Sequence, residues 1–221
     1  MVTIANVNAE LWVFPLLGPT GGSGITAVDI IVVDLEDSDG NTGTGFSYVL
    51  GGGGSTVAVA CQDLLNRFVA AQTIVPPQIF WRRMAGSLNR LGRGYGYIAI
   101  AAIDVAMWDL YSKRLDMPLY EALGGTARTL PVYGSGGFSP MQDADSAVER
   151  SLEYVEMGCK AVKLRVAGQA ADWNRIRAVA DALPDGVDIL ADANEKCDLA
   201  RAQWLVNALS DVNALWLEEP L

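Results

Sequence analysis

From Thr129 onward the hydrophobic and polar positions of the chain fall into a repeat. TLPVYGS, CKAVKLRV, VDILADAN and NALWLEEP are short apolar runs with the length and alternation of strands. Between them, DADSAVERSLEYVEM, ADWNRIRAVADAL and DLARAQWLVNAL carry helical spacing. Asp and Ser residues stand at the start of the first helix, and Gly158 follows it as a C-terminal stop. Four strands alternating with three helices, at a period of about 28 residues, predict a βα repeat with a parallel sheet. Such a repeat builds either a doubly wound sheet or a (β/α)₈ barrel.

Upstream the pattern is mixed α and β. Residues 25–49 hold two β-rich runs around Asp39-Gly40-Asn41-Thr42-Gly43, a hairpin turn signal. LLGPTGGSG (residues 16–24) and the four glycines of residues 51–54 read as connections, or alternatively as a mobile flap over a site. Helical stretches follow near residues 57–72, 78–91 and 97–115. The last of these is apolar on almost every side, which predicts burial between layers. Asp116-Met117-Pro118 ends it, and Gly124-Gly125 closes a further short turn of helix.

Composition narrows the function. The formal net charge is −10, and no cluster of Lys or Arg could track a phosphate backbone, so nucleic acid is excluded as a partner. The longest apolar stretch, YIAIAAIDVAMWDLY, is short and interrupted by Asp104 and Asp109, which argues against a membrane span. The start, MVTIANVNAE, lacks the features of a signal peptide. Three cysteines without metal spacing suit a reducing cytoplasm, the expected location of a soluble, acidic protein. There is no histidine, so Ser-His and His-metal chemistry are unavailable within the chain.

In a βα sheet the chemistry gathers at the C-terminal ends of the strands. There the second strand of the repeat carries Lys163 and Arg165, two apart and therefore on one face. The third carries Asp192 and Asn194 in the same relation, and the fourth carries Glu218 in phase with Trp216, with Glu219 opposite. Tyr133 and Ser135 close the first strand as candidate substrate contacts, and Asn194 is a third. Two carboxylates on adjacent strands suit a hard cation such as Mg²⁺. Neighbouring cations would hold an anionic substrate or, with a depressed pKa, take a proton from it. A metal beside a lysine is an arrangement suited to removing the proton α to a carboxylate, since the metal stabilises the resulting charge. Against this stands the plain fact that strands end at solvent, where charged residues are common; it is the recurrence on three strands that favours a site.

AAIDVAMWDLYSKRLDMPLYEALGG (residues 101–125), followed in order by PVYGSGG, VKLRV, ADANEK and LWLEEP, resembles the enolase superfamily in its mandelate racemase/muconate lactonizing enzyme branch. The resemblance implies an α+β capping domain over residues 1–125, then a TIM-type barrel of which residues 126–221 are the first half, ending at strand four. A loop near residues 13–24 would close over the substrate. Asp192 and Glu218 would be the first and second Mg²⁺ ligands. Lys163 would be the first lysine of the Lys-x-Lys motif, and Arg165 falls where many members have the second lysine, the usual base. Glu219 would make an interstrand contact, and Cys197 would pack.

Two departures bear on the reaction. Guanidinium stays protonated to a pKa above about 12, so Arg165 suits holding a carboxylate better than taking a proton. That tilts the expectation towards one-base chemistry, above all dehydration of a sugar acid, with a racemase, epimerase or cycloisomerase as the alternative. The family's third metal ligand lies on strand five and its Asp/His pair on strands six and seven. The chain is therefore expected to be the N-terminal part of a longer enzyme, with little or no activity alone. The whole protein would act on a small carboxylate substrate and form a homo-oligomer. A competing expectation is a non-catalytic half-barrel that binds a partner.

Overall fold

The computed structural model describes residues 1–16, 25–90 and 92–221. The proposed flap at residues 16–24 falls, apart from Leu16, outside the described residues as far as Gly24, and so does Leu91. The chain forms two compact units, the first running to Arg128 and the second from Thr129 to Leu221.

In the first unit a three-stranded antiparallel sheet is built from β1 (Ile4–Pro15), β2 (Ala27–Asp37) and β3 (Thr42–Leu50), in the order β1-β2-β3. The hairpin joining β2 to β3 lies where the Asp-Gly signal put it. Strand β1 was not foreseen. Three helices follow: α1 (Gly54–Phe68), α2 (Pro77–Ser87) and α3 (Gly94–Arg114), with the short α4 (Leu119–Ala122) behind them. Helices α1 and α2 stop earlier than the expected residues 72 and 91.

The central strand β2 supplies Ile31, Val33 and Leu35 to a core shared with Leu64 and Leu65 of α1, Phe80 and Met84 of α2, and Ile103 and Met107 of α3. Full burial of each such side chain contributes about 1.5–3 kcal/mol. Helix α3 comes close to β3 because Gly43 and Gly45 present no side chain there. A Cβ on Gly45 would lie 2.3 Å from the Ala102 carbonyl oxygen and the Ala106 nitrogen. The all-round burial expected of α3 is not met: Ala101 and Val105 are exposed, because the helix packs on β2, β3, α1 and α2 and leaves one flank open. The glycine run is a shaped helix entry: Gly51, Gly52 and Gly53 have φ of 77°, 108° and 100°, and Asp29 accepts the Gly54 N–H at 3.0 Å.

In the second unit, β4 (Ala161–Arg165), β5 (Asp188–Asp192) and β6 (Trp216–Glu218) form a parallel sheet in that order. They alternate with α5 (Ala144–Glu156), α6 (Ala170–Ala182) and α7 (Leu199–Ser210). Asp143 caps α5 and Asp198 caps α7 through side-chain bonds to Ser146 and Arg201 N–H. The expected first strand, TLPVYGS, is reduced to one parallel bridge between Gly134 and Val162. The Val132 carbonyl accepts the Lys160 N–H and Gly134 bonds Ala161 and Lys163, but Gly136 and Gly137, at φ of 88° and 72°, leave extended backbone just beyond and end the pairing.

Val162 and Leu164 of β4, Ile189 and Ala191 of β5, Ile176 and Val179 of α6, and Leu205 and Leu209 of α7 make the second core. The strand period of two then sends Lys163, Arg165 and Asp192 to the other face of the sheet. A slip of one residue would put Lys163 and Arg165 into the apolar layer, so burial of Val162 and Leu164 fixes the register that displays the charges. In the first turn of α6, Asp172 is fully buried. It accepts the Ala167 and Gln169 N–H groups at 3.0 and 2.8 Å and pairs with the buried Arg175, whose Nη1 reaches the Gln142 carbonyl at 2.8 Å. This pair was not anticipated, though an Asp–Arg spacing of three on a helix is its signal in the sequence.

Candidate functional site

The parallel register lines up the strand ends. Arg165 stands opposite Asp192, and Asp192 opposite Glu218, so three charged residues form one row across β4, β5 and β6. Lys163 lies one step back, on the same face as Arg165. Its Nζ is 3.1 and 3.0 Å from the two carboxylate oxygens of Glu218 and 3.4 Å from Oδ2 of Asp192. Arg165 Nη1 is 2.7 Å from the same Asp192 oxygen and also bonds Oδ1 of Asn194. The structure thus brings Lys163, Arg165, Asp192, Asn194 and Glu218 into one network.

Backbone geometry fixes that network. The chain leaves β5 through Asn194 and Glu195, both left-handed with φ of 43° and 58°. The turn is held by the Asn194 N–H, which donates to Asp192 Oδ1 at 2.9 Å, and by the Glu195 N–H, which donates to the Glu219 carbonyl at 2.7 Å. Asn194 Nδ2 reaches Glu219 Oε2 at 3.4 Å. Asp192 therefore spends one oxygen on its own turn and offers the other to the cations.

Tyr133 belongs to the group in a way its position alone did not reveal. Its ring lies 5.8 Å from that of Trp216, edge to face, and Lys163 Nζ stands 5.6 Å from its centroid. Trp216 is thus a site residue missed except as a phase marker for Glu218. Ser135 is exposed; its carbonyl accepts from the Tyr154 hydroxyl, and no contact joins its side chain to the charged row. Cys197 packs at the edge of the second core, where burial pushes its thiol up.

The electrostatics favour cations at this rim. Burial works against the charge on Lys163, but the bond to Glu218 and the charges of Glu218 and Asp192 outweigh it and hold the ammonium above its ordinary value. As it stands, Lys163 is a held cation rather than a poised base. The two acids are hard oxygen donors, and one ammonium lies against both, so a cation can be shared between them. Among the described residues no three His, Cys, Asp or Glu side chains converge as a metal-holding group. A divalent ion here would take two protein carboxylates and fill its remaining positions otherwise.

This fold and this row of strand-end charges define a family. Residues 20–124 match the profile of the mandelate racemase/muconate lactonizing enzyme N-terminal domain, and residues 146–221 match that of the enolase C-terminal domain-like family. The chain belongs to the mandelate racemase/muconate lactonizing enzyme branch of the enolase superfamily. It is 30% identical to 3,6-anhydro-alpha-L-galactonate cycloisomerase of Streptomyces coelicolor, over 98% of this chain and 62% of that protein. Among solved structures, a member of the enolase superfamily from Polaromonas sp. JS666 superposes with a TM-score of 0.90 at 33% identity, covering 99% of this chain and 59% of that one. L-Talarate/galactarate dehydratase from Salmonella typhimurium LT2, solved with Mg and L-lyxarohydroxamate, gives 0.88 at 26% identity, over 100% and 59%. The chain spans about half to three-fifths of the length of the curated relatives it matches.

Proposed function

We propose that the protein serves Mg²⁺-dependent abstraction of the proton α to a carboxylate, in the dehydration of a sugar acid. The observation that carries this reading is the Lys163 ammonium within 3.4 Å of carboxylates on two adjacent strands, with Arg165 beside them. We read the sheet of the second unit, with its bridged first segment, as the opening strands of a (β/α)₈ barrel, and residues 1–125 as its capping domain. The dehydratases and the cycloisomerase among the relatives fit the same chemistry.

In this reading Asp192 and Glu218 would hold the metal, which would supply positive charge to offset the negative charge that builds on the substrate carboxylate as its α-proton leaves. Arg165 presents a guanidinium fork that binds an anionic oxygen and is a poor proton acceptor. Lys163 donates hydrogen bonds towards the same anionic group, and Asn194 keeps the Arg165 fork in place. The Tyr133 ring lies against the Lys163 ammonium, and Trp216 packs edge to face on that ring. Ser135 would meet the substrate from the bridged segment. With arginine at the second motif position, a single proton acceptor operates, which favours dehydration over two-base racemisation.

Calorimetric titration of the chain with MgCl₂ tests the metal reading: Asp192→Asn and Glu218→Gln should each weaken binding at least tenfold. Turnover is then followed in the whole protein on a panel of sugar acids with Mg²⁺. A 2-keto-3-deoxy acid supports dehydration, whereas α-deuterium exchange without net loss of water supports a racemase or epimerase. Mg²⁺ binding indifferent to both substitutions would sink the reading in favour of a non-catalytic partner-binding unit.

A further inference from the structure

Helices α6 and α7 turn Ile176, Val179, Leu205 and Leu209 towards the second core. Between the same two helices, open to solvent, lies a cleft of about 510 Å³. Its lining includes Trp173 and Asn174 of α6, Trp204, Asn207 and Ala208 of α7, and Asp211 just beyond. The volume falls within the range of about 300–1,000 Å³ usual for small-molecule sites. Trp204 is 37% exposed and Trp173 half-buried, so part of each indole is free for a ligand. Arg177 stands over the Trp173 ring, 5.5 Å from its centroid, and steadies that indole. Among the described residues, no side chain pairs with the side chains of Asn174, Asn207 or Asp211. The row of Lys163, Arg165, Asp192 and Glu218 lies on the opposite face of the sheet, so the cleft is a separate place on the molecule.

We propose that this cleft binds a neutral saccharide. A sugar ring carries C–H bonds across its face and hydroxyl groups around its edge. Those C–H bonds are slightly positive and lie favourably on the negative face of an indole. Each hydroxyl both donates and accepts, as do the carboxamides of Asn174 and Asn207, and the Asp211 carboxylate accepts a hydroxyl hydrogen. Other ligands fit worse. A wholly apolar molecule would take water from three polar side chains and return no hydrogen bond. An anion would meet Asp211, the one charged side chain among the described lining residues. A proline-rich peptide brings carbonyl acceptors but no prolyl N–H, so Asp211 would again lack a donor. Amides and an acid set beside two indoles therefore select an uncharged, hydroxyl-rich ring.

Saturation-transfer NMR of the 221-residue chain tests this, with methyl β-D-glucopyranoside, methyl β-D-galactopyranoside and methyl α-D-mannopyranoside as probes. At least one should receive magnetisation on its ring C–H protons, with a dissociation constant in the millimolar range. Trp173→Ala and Trp204→Ala should each weaken that binding about tenfold, with an unchanged circular dichroism spectrum. Where either variant does not fold, Asn207→Ala decides: its side chain is exposed, and its loss should weaken binding about threefold. Asp192→Asn, at the strand ends, should leave the glycoside affinity unchanged, so the outcome does not depend on the proposed reaction. A wild-type chain that binds none of the glycosides, or an affinity indifferent to the substitutions in the cleft, would overturn the proposal. So would binding lost with Asp192→Asn, which would put the sugar at the strand ends. Binding of a hexaproline peptide in place of the glycosides would overturn it too, and would assign the cleft to a peptide.

Discussion

Lys163 donates to both carboxylate oxygens of Glu218, at 3.1 and 3.0 Å, although 55 residues separate them in the chain. The contact exists because β4 and β6 flank β5 in a parallel sheet and both end at the same rim. It also carries the charge balance of the site, since Asp192 and Glu218 stand side by side in the register and the lysine lies against both.

Removing that ammonium leaves two neighbouring carboxylates with Arg165 as their remaining partner in the row. Lys163→Ala is therefore expected to cost about 1–2 kcal/mol of stability, chiefly from like-charge repulsion and the stranded, nearly buried Asp192. Millimolar MgCl₂ should restore most of the loss in the variant and do less for the wild type, because a divalent ion takes over the neutralising role. Thermal unfolding of both chains, with and without MgCl₂, reads this directly. Equal responses to the salt would mean that the two acids do not share a cation.

The approach of α3 to β3 yields a sharper packing prediction. A Cβ on Gly45 meets main-chain atoms of Ala102 and Ala106 at 2.3 Å, and backbone cannot swing aside as a side chain can. Gly45→Ala should destabilise the first unit by about 3 kcal/mol, at the upper end of the usual overpacking cost. Gly86 lies inside α2 with nothing within 4 Å of the added carbon. There the same substitution should be neutral or stabilise by up to about 1 kcal/mol, through helix propensity. Denaturant midpoints for the two variants distinguish close approach from a general intolerance of alanine.

Much of the site was legible because strand phase is a two-valued choice. Once Val162 and Leu164 are assigned to the core, Lys163 and Arg165 have only one face left, and the same logic applies to Asp192 beside Ala191. Strand β1 escaped notice because its second half, Trp12-Val13-Phe14, is apolar on both faces and blurs the alternation that marks a half-buried strand. The first strand of the repeat is shorter than its pattern suggests: its apolar run is genuine, but Gly136 and Gly137 take positive φ just after it and confine pairing to one bridge. The Tyr133–Trp216–Lys163 contact joins residues from three separate segments of chain. No local pattern encodes it, because it depends on how the strands are ordered in space.

Asp37 gives the fold a defined weakness to acid. Burial pushes its carboxyl up. The Asn41 side-chain amide and N–H, the Arg114 guanidinium and the Asp39 N–H more than reverse this, and bring it from 3.8 down to about 2. Because the folded-state value lies below the unfolded one, protons bind the unfolded chain preferentially in this range. The contribution is complete above about pH 4 and is lost as the pH falls through about 2. Its size is of order 1–2 kcal/mol after allowance for solvent screening at the partly exposed Arg114. Asp37→Asn should therefore be less stable than the wild type at neutral pH, and the gap should close between about pH 4 and pH 2. The stability difference between the two chains, measured by urea unfolding across that range, isolates this group from every other carboxylate. A difference that does not change with pH would mean that Asp37 and its partners hold the hairpin to α3 by shape and neutral hydrogen bonding alone.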